Sequence, residues 1–346
     1  MVLDSATARG ITRRDKDKMN VLLLGHDEVT ALLPMGECIK LMREALVSLA
    51  EGRVHQPLRT IMRPQDAKGI MGLMPSYASG AHAAFGLKAI CVFGGNPARG
   101  LDTHQGAVLL FSAETGELQA VVNASAVTAV RTAAVSGVAT QALAREEACD
   151  LAVLGAGVQA RSHVEAMSHV RRIRRCRVVS RNTEHARKLA DELSESYAFA
   201  VEAVETIEDA LRGADLIVTA TNAKDAVVRR ALIADGAHIN AVGSCTPHTR
   251  ELDAETVAAS SMFVDSVEST VNEAGDYIRA LKEGAVGPEH IRAELGEVLN
   301  GAKPGRTSSE EITLFKSLGL AVEDLAAAEY LYRKSKETGA GTWVKF

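Results

Sequence analysis

The sequence predicts an α/β protein of two units, one of them a doubly wound parallel sheet. Three observations predict it. The apolar run Leu151–Leu154 ends in a Gly155-Ala-Gly157 turn and leads into a helix-compatible segment, Gln159 to Val170. After that turn, strand-like and helix-like runs alternate at the pitch of a parallel sheet with helices on both faces. Before it, short strand-like runs follow one another with a hairpin signal, which marks a mainly antiparallel sheet.

The strand–turn–helix at Leu151–Val170 has the form of a Rossmann dinucleotide-binding opening. Gly155 permits the tight turn, and Gly157 lets backbone approach a pyrophosphate. Val158, Gln159 and Ala160 begin the helix, whose free N–H groups favour phosphate, and Ala160 replaces the usual third glycine. The second strand, Arg177 to Ser180, comes about 20 residues later, where such units meet the adenosine ribose. An NAD site wants a carboxylate there. This chain has Ser180-Arg181-Asn182-Thr183, and a guanidinium can hold a 2′-phosphate, so NADP(H) is favoured over NAD(H). Thr183–Ser196 carries Ala186, Leu189, Ala190 and Leu193 on one helical face. Further strands are expected at 200–204, 216–220, 238–242 and 262–267, with short helices at 206–211 and 254–259. Thr221, Val242, Gly243 and Ser244, at the ends of two of these strands, join the cofactor-binding candidates.

The first unit begins with a strand at Val21–Leu24 and a brief helix capped by Asp27 and ended by Pro34. Cys38, Ile39, Met42, Leu46 and Leu49 then recur at helical spacing up to Gly52. Arg59 lies in an extended segment, and strand-like runs follow at 70–75, 85–93, 107–112 and 118–122. Ala124–Arg145, rich in Ala, Val and Thr, predicts a long helix into the dinucleotide unit. The stretch 310–336 reads mostly as helix and returns to the first unit. The division is therefore 21–140 with 318–346 as the first unit, 141–317 as the dinucleotide-binding unit, and 1–20 as a disordered extension.

The chain has 346 residues, 47% of them hydrophobic, and a net charge of −5 with both signs interspersed, so no basic field favours nucleic acid. No apolar run approaches the roughly 20 residues that cross a bilayer. The polar N-terminus lacks the apolar core of a secretion signal and carries Asp15 and Asp17, against a transit peptide. Five scattered cysteines show no metal-ligand spacing and read as reduced thiols of a cytoplasmic protein, and no metal is expected.

Chemistry is expected from cations set in apolar sequence. Lys88 lies inside Phe85-Gly-Leu-Lys88-Ala-Ile, and Arg131 inside the small-residue helix Thr128-Ala-Val-Arg131-Thr-Ala-Ala. Such groups are rarely buried unless paired or facing a cleft. Two readings stand: internal salt bridges, or a pocket for a substrate carboxylate, which the absence of a neighbouring acidic run favours.

The stretches Gly100-Leu-Asp-Thr-His-Gln-Gly106 through Phe111, Thr128 to Ala134, Gly155 to Ala160, Asn240 to Ser244 and Gly305 to Lys316 occur in the order of the ornithine cyclodeaminase/μ-crystallin family, which the chain resembles from about Val21 to Tyr332. The resemblance implies a homodimer with NAD(P) and a small imine or amino-acid substrate. It also implies that Arg59, Lys88 and Arg131 hold the substrate carboxylate against the nicotinamide. Cyclodeaminases carry an aspartate where this chain has Cys245, within Gly243-Ser-Cys-Thr-Pro247. Reductases of the family also lack it. Cys245 therefore counts among the substrate-site candidates but reads as a small packed residue rather than a nucleophile. Asn123 stands where the family commonly has aspartate.

The expected activity is NADPH-dependent reduction of a cyclic imine beside a carboxylate, of the 1-pyrroline-2-carboxylate or 1-piperideine-2-carboxylate type, to an L-amino acid. Lys88 is the candidate proton donor. An alanine-type dehydrogenase, a cyclodeaminase using another residue for the aspartate, and a non-catalytic NADPH-dependent binding protein remain as alternatives.

Overall fold

The computed structural model describes residues 20–346; the expected extension over 1–20 lies almost wholly outside them, since Asn20 already opens a strand. The chain begins with β1 (Asn20–Leu24), α1 (His26–Leu32), α2 (Met35–Ala50), β2 (Val54–His55) and β3 (Thr60–Met62). There follow β4 (Ile70–Ala78), β5 (Ala84–Val92), β6 (His104–Ser112), β7 (Leu118–Asn123) and α3 (Ala124–Leu143). Next come β8 (Asp150–Leu154), α4 (Val158–Val170), β9 (Arg175–Val179), α5 (Thr183–Ser196), β10 (Ala200–Ala203), α6 (Ile207–Leu211) and β11 (Leu216–Thr219). Then β12 (His238–Ala241), α7 (Ala254–Ala259), β13 (Ser260–Val264), α8 (Val267–Glu273), α9 (Gly275–Lys282), β14 (Ile291–Glu294) and α10 (Leu295–Leu299). The chain closes with β15 (Ile312–Lys316), α11 (Ala321–Thr338) and β16 (Thr342–Lys345).

The first sheet runs β16-β1-β7-β6-β5-β4-β2, with β3 also on β4. Strands β4 to β7 form an antiparallel meander, while β1 lies parallel to β7. The second sheet runs β10-β9-β8-β11-β12-β15-β13-β14, parallel throughout. Its order reverses between β8 and β11, and that switch point is where an open α/β sheet leaves a crevice at the carboxyl ends of its strands.

Helix α3 joins the two sheets. Its small and β-branched residues are buried on every side, so it presents no polar face and sits between α2 and α4. Side chains of this size let the helices approach: a Cβ at Gly137 would already lie 3.2 Å from Ile39. Asn123 caps α3, its Oδ1 accepting from the Ala126 N–H at 2.9 Å, as an aspartate would.

Several expectations are corrected. Asp27 is not the cap of α1: the helix starts at His26 with Gly25 as N-cap, and Glu28 reaches back to the Gly25 N–H at 2.8 Å. The stretch 310–336 is helix only from Ala321 onward. Ile312–Lys316 is a central parallel strand, buried throughout, where an apolar run without alternation suits strand or helix equally. Gly319, at φ +79°, turns the chain before α11 begins. Strand β9 starts at Arg175 rather than 177, and β13 at Ser260 rather than 262. The terminal strand β16 escaped notice; it pairs with β1, and Trp343 packs against Tyr332 of α11.

Candidate active site

At the switch point the glycines have separable roles. Gly155 has φ +121°, and a Cβ there would stand 2.4 Å from the Ala220 carbonyl oxygen. Its N–H donates to Val179 O at 2.8 Å, so the turn is pinned to both neighbouring strands and admits only glycine. At Gly157 an added Cβ would meet nothing within 4 Å. Gly157 is the N-cap of α4, so the helix's first N–H groups, which lack intrahelical acceptors, lie beside open space. That geometry fits a pyrophosphate. Val158 is exposed and Ala160 buried. Gln159 donates to Thr128 O at 3.3 Å, and its own Oε1 is buried without a partner.

At the end of β9, Ser180 is half-buried and Arg181 exposed. Asn182 is already engaged: its Oδ1 accepts from the N–H groups of Glu184 and His185 as the cap of α5. Glu251 ties the ends of β11 and β12 together. Its carboxylate accepts from Thr219 Oγ1, the Thr221 N–H and the Gly243 N–H, each at 2.7 Å. Burial pushes this carboxyl upward, and Lys316 opposes the shift. Gly243 is required by packing, since a Cβ would stand 2.1 Å from Thr221 O. Val242 is buried, and Ser244 turns its hydroxyl inward to Thr249 O at 2.6 Å.

The three cations gather around the segment 318–324. Lys88 Nζ lies 2.7 Å from Asp324, and Arg131 Nε donates to the other Asp324 oxygen at 3.1 Å. Arg131 Nη1 also meets Glu323. Arg59 donates from Nη2 to the carbonyls of Leu318 and Gly319, at 2.8 and 3.1 Å, and pairs with Glu273 at 3.0 Å. Asp265 fastens the same segment from beneath, accepting from the N–H groups of Leu318 and Gly319. A Cβ at Gly319 would press within 2.4 Å of the Arg131 guanidinium.

The expectation that these cations stand without acids beside them is therefore corrected. Each meets a carboxylate, supplied from α8 or the first turn of α11, some 200 residues away in sequence. The cluster is nonetheless not a closed ion pair. Arg131 carries five N–H bonds and Lys88 three, more than Glu323 and Asp324 occupy. Burial lowers Lys88 to about 8, aided by Arg131 and opposed by Asp324. Burial raises Glu323 to about 7, against the pull of Arg131. Beside Arg59 lies a small open volume of about 20 Å³, lined by Gln56, Met74, Ser266 and Leu320 among others.

Cys245 sits near this cluster. Its thiol donates to Val242 O at 3.4 Å, and burial pushes it up, away from the thiolate. Sequence reading missed Glu251, Asp265, Glu273, Asp276, Glu323 and Asp324. The signal was present: Asp265 ends the apolar run Met262–Val264, and Glu323-Asp324 interrupts the apolar start of α11. Lys316, likewise closing an apolar strand, is fully buried and pairs with Asp276 at 3.0 Å. Cys149, Asp150 and Asp215 approach within 4.8 Å, a grouping that linear spacing did not reveal. Its oxygens are engaged by Arg145, Arg174 and two backbone N–H groups.

Comparison with known proteins bears on this arrangement. The model of the ornithine cyclodeaminase/mu-crystallin family matches residues 19–339. A Delta(1)-pyrroline-2-carboxylate reductase of Bacillus cereus is 38% identical over 94% of this chain and 100% of its own. The ketimine reductase mu-crystallin of Mus musculus is 40% identical over 82% of this chain and 86% of its own. Among solved structures, Thermococcus litoralis Delta(1)-pyrroline-2-carboxylate reductase, in complex with NADH and L-proline, superposes with a TM-score of 0.91. It is 39% identical and covers 94% of this chain and 100% of its own. Among the described residues, no helix is long and apolar enough to cross a membrane.

Proposed function

The chain belongs to the ornithine cyclodeaminase/mu-crystallin family, and from that premise we propose that it reduces a cyclic imino acid of the 1-pyrroline-2-carboxylate or 1-piperideine-2-carboxylate type to the L-amino acid, using NADPH. It is an oxidoreductase acting on a C=N bond. The observation that carries this reading is the convergence of Lys88, Arg131 and Arg59 on one segment, with N–H bonds in excess of their internal partners.

The bound nicotinamide supplies the hydride. Gly155, Gly157 and the start of α4 would hold its pyrophosphate, and Arg181 the 2′-phosphate that distinguishes NADPH. Arg59, Arg131 and Lys88 orient the substrate carboxylate. Glu323, already pushed up to about 7, gives up its charge readily when a second carboxylate arrives at Arg131. Lys88, lowered to about 8, is still mostly protonated at neutral pH and suits donation of a proton to the ring nitrogen. A ketimine is basic enough to be reduced as its iminium, so no aspartate is needed at Cys245. That position holds a thiol kept protonated by burial, which argues against the cyclodeaminase reading.

In this reading residues 21–140 with 318–346 form the substrate unit and 141–317 the cofactor unit. The exposed Met62 and Phe85, on one face of the first sheet, support a homodimer built there. The scattered cysteines, all free, suit the cytoplasm. The test is the loss of NADPH absorbance with each ring size, repeated with NADH. Turnover of either ketimine that collapses in Arg131→Ala is expected. Turnover of pyruvate with ammonia, or of ornithine, in place of the ketimines would overturn the reading.

A further inference from the structure

On the second sheet, Cys176 and Val178 of β9 point into the core shared with α4 and α5, while Val179 faces the other side, toward α6. Arg175 and Arg177 share the face of Val179 by the alternation of a strand. That face should be apolar in a doubly wound sheet. Helix α6, however, has only five residues and packs on β8 and β9, leaving the sheet edge toward β10 uncovered. The result is a recess of about 430 Å³ lined by Arg175, Arg177, Glu202, Val204, Asp209 and Arg212.

Arg177 is the anomaly in it. The residue is 5% exposed, yet of its guanidinium only Nη1 is engaged, donating to Asp209 O at 2.6 Å. Nε and Nη2 are buried without a hydrogen-bond partner. The acids lining the recess or near it do not answer it. Asp209 is engaged by Arg212 and Thr206, both at 2.7 Å, and Asp150 takes Arg174 and Arg175. Glu202 is the ladder neighbour of Arg177 on β10, but among the described residues it makes no ion pair with it. A buried guanidinium with donors to spare is costly unless an anion meets it. Burial and the adjacent Arg175 accordingly push Arg177 below its ordinary range.

We propose that this recess is a second ligand site, distinct from the reduction site, and that it takes a phosphate group, either inorganic phosphate or a small phosphomonoester. Guanidiniums approaching from β9 and from the end of α6 suit a tetrahedral dianion with several acceptor oxygens better than a single planar carboxylate. The recess is wider than a bare oxyanion fills, which leaves room for an attached organic group. It lies at the middle and start of β9, whereas the glycine turn lies at the carboxyl ends of the strands, so the two sites do not share residues.

The experiment follows the thermal midpoint of the full chain at constant ionic strength while inorganic phosphate or glycerol 3-phosphate is added. Saturating NADPH is present throughout to occupy the cofactor's own phosphate positions. A saturable rise is expected, weakened about tenfold or more in apparent affinity by Arg177→Met and by the surface change Arg212→Gln. Glu202→Gln should tighten binding, because it removes the competing charge. The KM for NADPH should stay unchanged in all three variants. Tighter binding of the ester than of inorganic phosphate would assign the ligand to the organic source, and the reverse to the free ion. No saturable shift, or a shift retained in both arginine variants, would overturn the proposal. So would weaker binding in Glu202→Gln.

Discussion

Lys88 and Asp324 stand 2.7 Å apart, both almost wholly buried, and the second oxygen of Asp324 holds Arg131. One carboxylate thus sets the environment of the proposed proton donor and of the strongest cation beside it. Lys88 is lowered to about 8 by burial and by Arg131, with Asp324 acting in the opposite direction. Removing that charge in Asp324→Asn should lower Lys88 further. The alkaline limb of the kcat profile, set by loss of the Lys88 proton, should then move to lower pH. A limb that stays in place would show that Lys88 is not the donor.

Arg131 has a structural burden as well as its proposed substrate contact. Truncation to Ala strands Glu323 as a buried carboxylate and leaves Asp324 with Lys88 alone, a loss of about 3–5 kcal/mol for a broken buried pair. Urea melts should show it as a lower midpoint. The double change Arg131→Ala with Glu323→Gln should recover part of the stability but none of the ketimine turnover. Recovery of both would reduce Arg131 to a packing role.

The two glycines of the turn should separate folding from cofactor binding. Gly155→Ala places a methyl against Ala220 O in a left-handed backbone, so it should cost both stability and activity. Gly157→Ala enters open space and should leave the thermal midpoint nearly unchanged while raising the KM for NADPH. Equal KM values for Gly157→Ala and the parent would place the pyrophosphate elsewhere.

Arg181→Ala tests cofactor choice. Loss of the guanidinium should narrow the ratio of kcat/KM between NADPH and NADH by about tenfold, with most of the change on the NADPH side. A parent enzyme that already prefers NADH would refute the assignment before any mutation.

Two buried histidines should govern acid sensitivity. His163 Nδ1 donates to Gln159 O at 2.7 Å, so its Nε2 accepts from Ser136 Oγ at 2.9 Å, and the ring is neutral. Burial lowers it to about 4, and lowers His238, near Arg306, to about 3. Below the unfolded value of about 6.5 the unfolded chain takes up protons that the folded chain refuses. Stability is therefore complete above pH 6.5 and is lost as pH falls toward 4 and 3. The His163 share is roughly 3 kcal/mol by pH 4. Denaturant midpoints at pH 7 and pH 4.5 should diverge in the parent and diverge less in His163→Leu, where His238 still contributes; an unchanged divergence would exclude His163 as a source.

Local patterns carried most of what the sequence revealed. The glycine turn after Leu151–Leu154, the helical spacing of α2 and the buried small-residue helix α3 are each written within one element, where periodicity and backbone freedom act on neighbours. The cations Lys88 and Arg131 stood out for the same reason, as charges in apolar runs, whereas Arg59 was marked only by the family resemblance. The strand at Ile312–Lys316 did not, because an apolar run buried on both faces has no alternation to separate it from helix.

What the sequence by itself determined, then, is the inventory: which segments must be buried, where the backbone must turn, and which charges would need partners. Only the tertiary structure decided the partners. Glu323 and Asp324 lie some 200 residues from Arg131 and Lys88, and no spacing rule links them. They meet because α11 returns to pack on β4 and β5 of the first sheet. Arg177 shows the same division from the other side. Its sequence is an ordinary strand, and only the brevity of α6, too short to cover the sheet edge, leaves its guanidinium buried with donors unanswered. Charge pairing acts through space at a few ångströms, so it is settled where chain segments meet and not where they adjoin.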